Sequence, residues 1–161
     1  MKEIVLTQGK VALVSDEDFD ELSKYTWYAH KDGKTGTFYV RRRCASGTDR
    51  RTGMCHQILG VTSSTMVDHK DGDGLNEQRD NIRVCTKQQN LMNQCANGNK
   101  TSRFKGVTMY PTCTKHPWNA HIKVDGKWIN LGYHVTEEAA ALAYNKAATE
   151  LFGEFARPNV I

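Results

Sequence analysis

The sequence predicts an α+β protein: a β-rich N-terminal part, a central two-strand-and-helix core, and a C-terminal three-stranded antiparallel sheet packed on one helix. Three observations predict it. Short runs with alternating apolar residues, bounded by Gly, Asp and Asn, recur near the N-terminus and again over 104–133, as antiparallel strands do. Capping residues at Ser15, Thr86 and Thr136 precede runs with helical spacing. Segment 96–102, Ala-Asn-Gly-Asn-Lys-Thr-Ser, has the small, polar composition of a linker. The expected divisions are therefore 1–53, 54–95, a linker at 96–102, and 103–161.

Residues 4–14, IVLTQGKVALV, read as two strands around Gln8-Gly9. Ser15 caps a helix over 16–24, with Asp16, Glu17 and Asp18 favourable in its first turn. Trp27–His30, a turn at 32–36 and Thr37–Arg43 form a hairpin, and a short helix lies around 54–60. Met66–His69 and Ile82–Cys85 are strands, separated by a loop holding Gly72 and Gly74. Thr86 with Gln89 makes a capping box for the next helix. Strands follow at 104–110, 118–124 and 127–133, the last two joined through Asp125-Gly126, a strong hairpin signal. Thr136 caps and Gly153 stops a helix over 137–152, whose Ala140, Ala143, Tyr144, Ala147 and Leu151 share the face expected against the sheet.

Composition narrows the function classes. With 39% hydrophobic and 25% charged residues, the chain folds rather than staying disordered. No run approaches the roughly 18 apolar residues of a membrane span, and the N-terminus lacks a signal-peptide core, so a cytoplasmic location with no membrane partner is expected. Cys44, Cys55, Cys85, Cys95 and Cys113 are scattered without a Cys-x-x-Cys pair, which reads as reduced thiols. Net charge is +4, but residues 100–133 hold six Lys/Arg against Asp125 alone. One face of the C-terminal module is therefore positive, as suits a polyanion. Arg41, Arg42, Arg43, Arg50 and Arg51 against Asp49 either hold phosphates or form a solvated strand end.

The densest polar chemistry lies in residues 66–93, MVDHKDGDGLNEQRDNIRVCTKQQNLMN. Two strands and a helix bring Asp68, His69 and Asn90 together, with Asn81 at the end of the connecting loop. A carboxylate and an amide oxygen suit a hard cation such as Mg²⁺. A neutral histidine beside them can deprotonate an attacking water. Asp71 and Asp73 compete as ligands, but Gly72 and Gly74 favour a turn role.

Asp68-His69, with Asn81 twelve residues and Asn90 twenty-one residues after the histidine, resembles the HNH family of ββα-metal nucleases, in its phage and intron-associated group. The resemblance implies Asp68 and Asn90 as metal ligands, His69 as general base, and Asn81 as a residue fixing the loop and the histidine. It implies one Mg²⁺ or Mn²⁺ per active site and hydrolysis of double-stranded DNA to 5′-phosphate and 3′-hydroxyl ends. Cys55-His56-Gln57 looks like the family's His-Arg pair with Gln57 in place of arginine, leaving His56 structural or phosphate-contacting. The family's Leu-Asp-Asn-Arg-Arg becomes Leu75-Asn76-Glu77-Gln78-Arg79.

Residues 103–159 resemble the plant ethylene-response-factor DNA-binding domain through Lys105-Gly106-Val107, Trp118–Lys123, Leu131-Gly132-Tyr133, Thr136–Ala140 and Arg157-Pro158-Asn159. Strand alternation puts Trp118, Ala120, Ile122, Val124, Ile129 and Leu131 inward, and Asn119, His121, Lys123, Trp128 and Asn130 outward. The expected DNA-binding set is Arg41 and Arg43 from the N-terminal part, with Arg103, Lys105, Tyr110, His121, Lys123, Trp128 and Asn130 from the C-terminal part. A homing-type role in a phage or mobile element follows from the resemblance. With one Asp-His…Asn…Asn set and no heptad run, the chain is expected to act as a monomer on DNA and to nick one strand. The rival readings are a DNA-binding regulator with a vestigial nuclease fold and an RNA-binding protein.

Overall fold

A computed structural model describes residues 1–33, 35–43, 51–94 and 101–161. Most of the expected 96–102 linker, together with Cys44, Cys95 and Arg50, lies outside the described residues. The described chain is mixed α+β with several small antiparallel sheets, and it divides into two units, Met1–Asn90 and Leu91–Ile161. Among the described residues no helix is long and apolar enough to cross a membrane.

In the first unit β1 (Lys2–Val5) and β2 (Val11–Val14) pair antiparallel, with Val5 opposite Val11. Alternate residues Ile4, Leu6, Ala12 and Val14 are buried, which fixes the register, because a one-residue slip would expose all of them. Helix α1 (Asp16–Leu22) is shorter than its expected 16–24. Ser15 occupies the N-cap position without capping through its side chain; its Oγ instead accepts from the Arg79 backbone N–H at 3.0 Å.

Strands β3 (Tyr28–Lys31) and β4 (Phe38–Arg43) form the expected hairpin. A third strand the sequence reading missed, β5 (Arg51–Gly53), pairs with β4 through Arg41–Gly53, Arg42–Thr52 and Arg43–Arg51. Helix α2 (Met54–Leu59) ends at Gly60, in the left-handed conformation. Strands β6 (Val67–His69) and β7 (Ile82–Val84) and helix α3 (Lys87–Asn93) follow. Ile4, Leu22, Trp27, Val40, Met54, Ile58 and Ile82 belong to one hydrophobic cluster. The β-rich N-terminal stretch and the ββα stretch thus fold around a common core, with the Trp27 indole N–H donating to Leu22 O at 2.8 Å.

In the second unit β8 (Val107–Met109), β9 (Trp118–Val124) and β10 (Lys127–His134) form an antiparallel sheet in the order β10-β9-β8, packed on α4 (Glu137–Phe152). Asp125 and Gly126 both have positive φ, 50° and 80°, as a tight hairpin turn with right-handed strand twist requires. Thr136 caps α4 by accepting from Ala139 N–H at 3.1 Å. The buried stripe of α4 runs through Ala140, Ala141, Tyr144, Ala148 and Phe152, so the expected face is displaced: Leu151 is exposed, and Ala143 and Ala147 are half-buried. The small alanines bring helix and sheet close. At Gly106 (φ 71°) a Cβ would lie 2.1 Å from the Tyr144 ring, so only glycine fits.

Three further corrections follow from packing. Ser102, expected in the linker, is buried, and its hydroxyl donates to Glu137 Oε1 at 2.7 Å. Ile129, expected inward, is 40% exposed near the Asp125-Gly126 turn that closes the hairpin. Asn119, expected on the exposed face, is buried because its amide donates to Asn130 Oδ1 (2.8 Å) and Gly132 O (3.1 Å). Those bonds sit at a β-bulge between Asn130 and Gly132. The inserted residue, Leu131, packs on both apolar clusters of the unit, and Tyr133 comes opposite Asn119 on the outer face.

Candidate active site

Strands β6 and β7 are a two-stranded ribbon with Val67 opposite Val84, Asp68 opposite Arg83 and His69 opposite Ile82. Asp68 is buried, and its Oδ2 accepts from Arg83 Nε at 3.0 Å and Nη2 at 2.8 Å. A buried carboxylate needs such a partner, since removing it from water alone is prohibitive.

His69 meets a different set of partners, as neighbours on a strand do. Its ring lies 6.0 Å from that of Tyr39 on β4, and its Nε2 is 3.4 Å from Glu77 Oε2. Burial alone would lower the His69 pKa, but the carboxylates of Glu77, Asp71 and Asp68 outweigh it, and the net shift is upward. Burial holds the Glu77 carboxyl above the ordinary carboxylate range, against the pull of His69.

The loop from 70 to 81 is organised by its own amides and carboxylates. Asn81 donates to Asp71 Oδ1 (3.0 Å) and Asn76 O (2.8 Å), and accepts from Asp71 N–H (3.1 Å). Asp71 also accepts from Asn76 Nδ2 and from Asp73 N–H, and Asp73 accepts from Leu75 N–H. Burial would raise the Asp71 pKa, but the hydrogen bonds from Asn76, Asp73 and Asn81 hold it below the usual value. Both aspartates are thereby occupied as turn formers. The loop packs closely on β4: a Cβ on Gly74 would lie 2.4 Å from Phe38 O.

Helix α3 opens with the expected capping box, Thr86 N–H to Gln89 Oε1 at 2.8 Å and Gln89 N–H to Thr86 Oγ1 at 3.2 Å. Asn90 is half-buried in its first turns, its N–H on Thr86 O at 3.0 Å. Asp68, His69, Asn81 and Asn90 thus lie on one ribbon, its loop and the helix that follows, all within the first unit.

Two sets of residues have ligand chemistry. Asp68 and Asn90, the expected ligands, carry hard oxygens of the kind Mg²⁺ or Mn²⁺ takes, and Asp68 Oδ2 is engaged by Arg83. Cys55, His69 and Glu77 place one ligand atom each within 4.8 Å of one another, all buried. That second set suits a softer ion, but burial pushes the Cys55 thiol up, opposing the thiolate that such an ion needs.

The chain is 32% identical over 161 residues to a protein of Acanthamoeba polyphaga mimivirus named as an uncharacterized HNH endonuclease, a match covering 96% of this chain and 77% of the viral protein. The chain belongs to the HNH endonuclease family. It is also 31% identical over 91 residues to Protein 3.8 of Escherichia phage T7, covering 56% of this chain and 73% of the phage protein. No family model and no solved structure matches it.

Other positions singled out in this HNH protein fall into two groups. Some are engaged internally. Arg42 stacks over Tyr25 at 4.2 Å and donates to Gln57 Oε1, so the Gln57 that stands where the family has arginine is met by an arginine from β4. His56 Nε2 is 2.9 Å from Thr65 O, a structural tie. Lys105 Nζ donates to the Met92 and Gln94 carbonyls, and Arg103 pairs with Glu138 at 3.0 Å. Asn130 Oδ1 accepts from Gly132 N–H and holds the bulge.

Others remain displayed. Arg43 faces Arg51 across the β4–β5 pair, with Arg41 two residues earlier on the same strand. Trp128 is 66% exposed, with Lys123 Nζ 5.5 Å from its ring and His121 5.0 Å away edge-on. Tyr110 pairs edge-on with Tyr133 at 6.1 Å on the same sheet. Burial lowers the His121 pKa, favouring the neutral ring.

Glu77 was not among the residues expected at the site. A glutamate in a Gly- and Asn-rich loop reads as a solvated charge, yet it is 1% exposed. Its one signal was its place where the family pattern has asparagine.

Proposed function

We propose that this HNH protein hydrolyses a phosphodiester bond of double-stranded DNA to 5′-phosphate and 3′-hydroxyl ends, in a phage or mobile-element homing-type role, as a monomer that nicks one strand. The observation that carries the reading is Asp68-His69 on a ββα element, with Asn81 closing its loop and Asn90 in its helix, in a chain of this family. His69 takes the proton from the attacking water, and Asp68 and Asn90 hold one hard divalent cation. When bound, that cation supplies charge neutralisation at the scissile phosphate and the leaving 3′ oxygen. Asn81 keeps the loop closed. Arg41 and Arg43 contact the DNA backbone, an assignment supported by the like charges facing one another at Arg43–Arg51, an arrangement that a polyanion relieves.

The C-terminal unit serves as an ethylene-response-factor-like reading module. Its exposed sheet face carries Tyr110, His121, Lys123 and Trp128, which supply charge for phosphates and flat surface and donors for bases. Lys123→Ala and Trp128→Ala are each expected to weaken target binding by about 1–3 kcal/mol, measured by titration at fixed salt. Unchanged affinity in both variants would move the reading surface elsewhere.

Supercoiled plasmid carrying the target tests the whole reading. With Mg²⁺, open circles are expected first, at a rate first order in protein, and none with chelator. Linear product without an open-circle intermediate, or a second-order rate, rejects the monomeric nickase. Specific binding with no cleavage under any divalent cation favours the regulator.

A further inference from the structure

We propose that Glu77 is the positioning residue for His69, its buried carboxylate holding the Nε2 edge of the imidazole so that Nδ1 presents the basic lone pair. The proposal rests on the reading of His69 as general base. Glu77 Oε2 lies 3.4 Å from His69 Nε2, and the two side chains are 1% and 6% exposed. A glutamate this deeply buried is costly unless a partner is built for it, and Oε2 has no well-aligned hydrogen bond in the described structure. Contacts of this kind are commonly long before substrate arrives and tighten in the working complex.

The backbone around Glu77 is held from two sides. Its N–H donates to Leu13 O at 2.8 Å, and Leu13 N–H donates to Leu75 O at 2.9 Å. Two residues on, the Arg79 guanidinium places Nε and Nη2 each 2.8 Å from the Asp18 carboxylate. The N-terminal hairpin and α1 therefore fix the glutamate, while Tyr39 packs against the histidine ring. In a neutral imidazole one nitrogen carries the proton and the other the lone pair. The pull of His69 favours the ionised Glu77 against the upward push of burial. Ionised, Glu77 accepts but does not donate, so facing Nε2 it selects the tautomer protonated there, whereas a protonated Glu77 would donate to Nε2 and leave the proton on Nδ1. In the family pattern this position is asparagine, whose side-chain oxygen can accept the same hydrogen bond.

The test combines spectroscopy and kinetics on the full chain. In ¹⁵N-labelled protein without added metal, His69 is expected to show the Nε2–H tautomer, and Glu77→Ala is expected to lose it. For cleavage, Glu77→Ala is expected to lower kcat on the order of 10²-fold with KM for DNA unchanged. Glu77→Gln, which keeps an accepting oxygen and the shape of the site, is expected to lose only about tenfold. Adding Glu77→Ala to a His69→Ala background is expected to cost nothing further.

An Nδ1–H tautomer in the wild type overturns the proposal, as does a metal ion retained by Cys55, His69 and Glu77 in place of the Nε2 proton. So do Glu77→Ala and Glu77→Gln variants that cut at the wild-type rate while His69→Ala is inactive, a result that leaves the base assignment standing. Near-normal cleavage by His69→Ala removes both. Thermal melting of Glu77→Gln separates loss of fold from loss of positioning.

Discussion

His69→Ala is expected to reduce DNA cleavage by on the order of 10²-fold or more while DNA binding persists. The buried imidazole sits at the end of β6 between Glu77 and Tyr39, and the exposed Lys123–Trp128 face lies in a different unit. On the proposed reading, binding and chemistry are carried by different side chains, and loss of the base need not touch affinity. Single-turnover cleavage and a filter or gel titration on the same DNA measure the two separately. A variant that cuts at nearly the wild-type rate would sink the assignment. One that loses binding in parallel would instead place His69 in the DNA contact.

Asp68→Ala is expected to do two things at once: destabilise the first unit by about 3–5 kcal/mol and abolish the normal response to Mg²⁺. The stability loss comes from Arg83, whose guanidinium pairs with Asp68 in a site where the two side chains are only 10% and 5% exposed. Removing the carboxylate leaves the buried Arg83 guanidinium without the two hydrogen bonds that Asp68 accepts. Asn90→Ala provides the contrast. Asn90 is half-buried on α3, so its loss is expected to change stability by only about 0.5 kcal/mol while still altering metal dependence. Denaturant melts and cleavage titrations with Mg²⁺ and Mn²⁺ read the two effects. Recovery of rate at high Mn²⁺ in both variants supports the ligand roles. An unaltered metal response in both means that the ligands lie elsewhere.

The sequence by itself determined what local physics encodes. The Thr86–Gln89 capping box, the Asp125-Gly126 turn, the Thr136 cap and the alternation of Ala120 and Ile122 are short-range signals, and each appears in the structure as read. The spacing of Asp68, His69, Asn81 and Asn90 was legible because the ribbon, loop and helix that carry them are contiguous in the chain.

What only the tertiary structure decided is where distant segments meet. Strand β5 was invisible because three residues, Arg51–Gly53, have no periodicity to detect; pairing with β4 makes them a strand. Ser15 has cap chemistry, but the Arg79 backbone, far along the chain, takes its hydroxyl. Lys105 and Arg103 read as cations for phosphate until the Met92 and Gln94 carbonyls and Glu138 engage them. Leu131 and Tyr133 depend on a bulge that shifts the two-residue repeat of β10. Glu77 is the sharpest case: its burial comes from β2 and α1 closing over the loop and from His69 opposite, none of which is a neighbour in sequence. A residue's own chemistry and its local spacing are written in the chain. Whether a charge is solvated or buried, free or paired, depends on long-range packing, and that distinction separates a surface glutamate from one set against the proposed catalytic histidine.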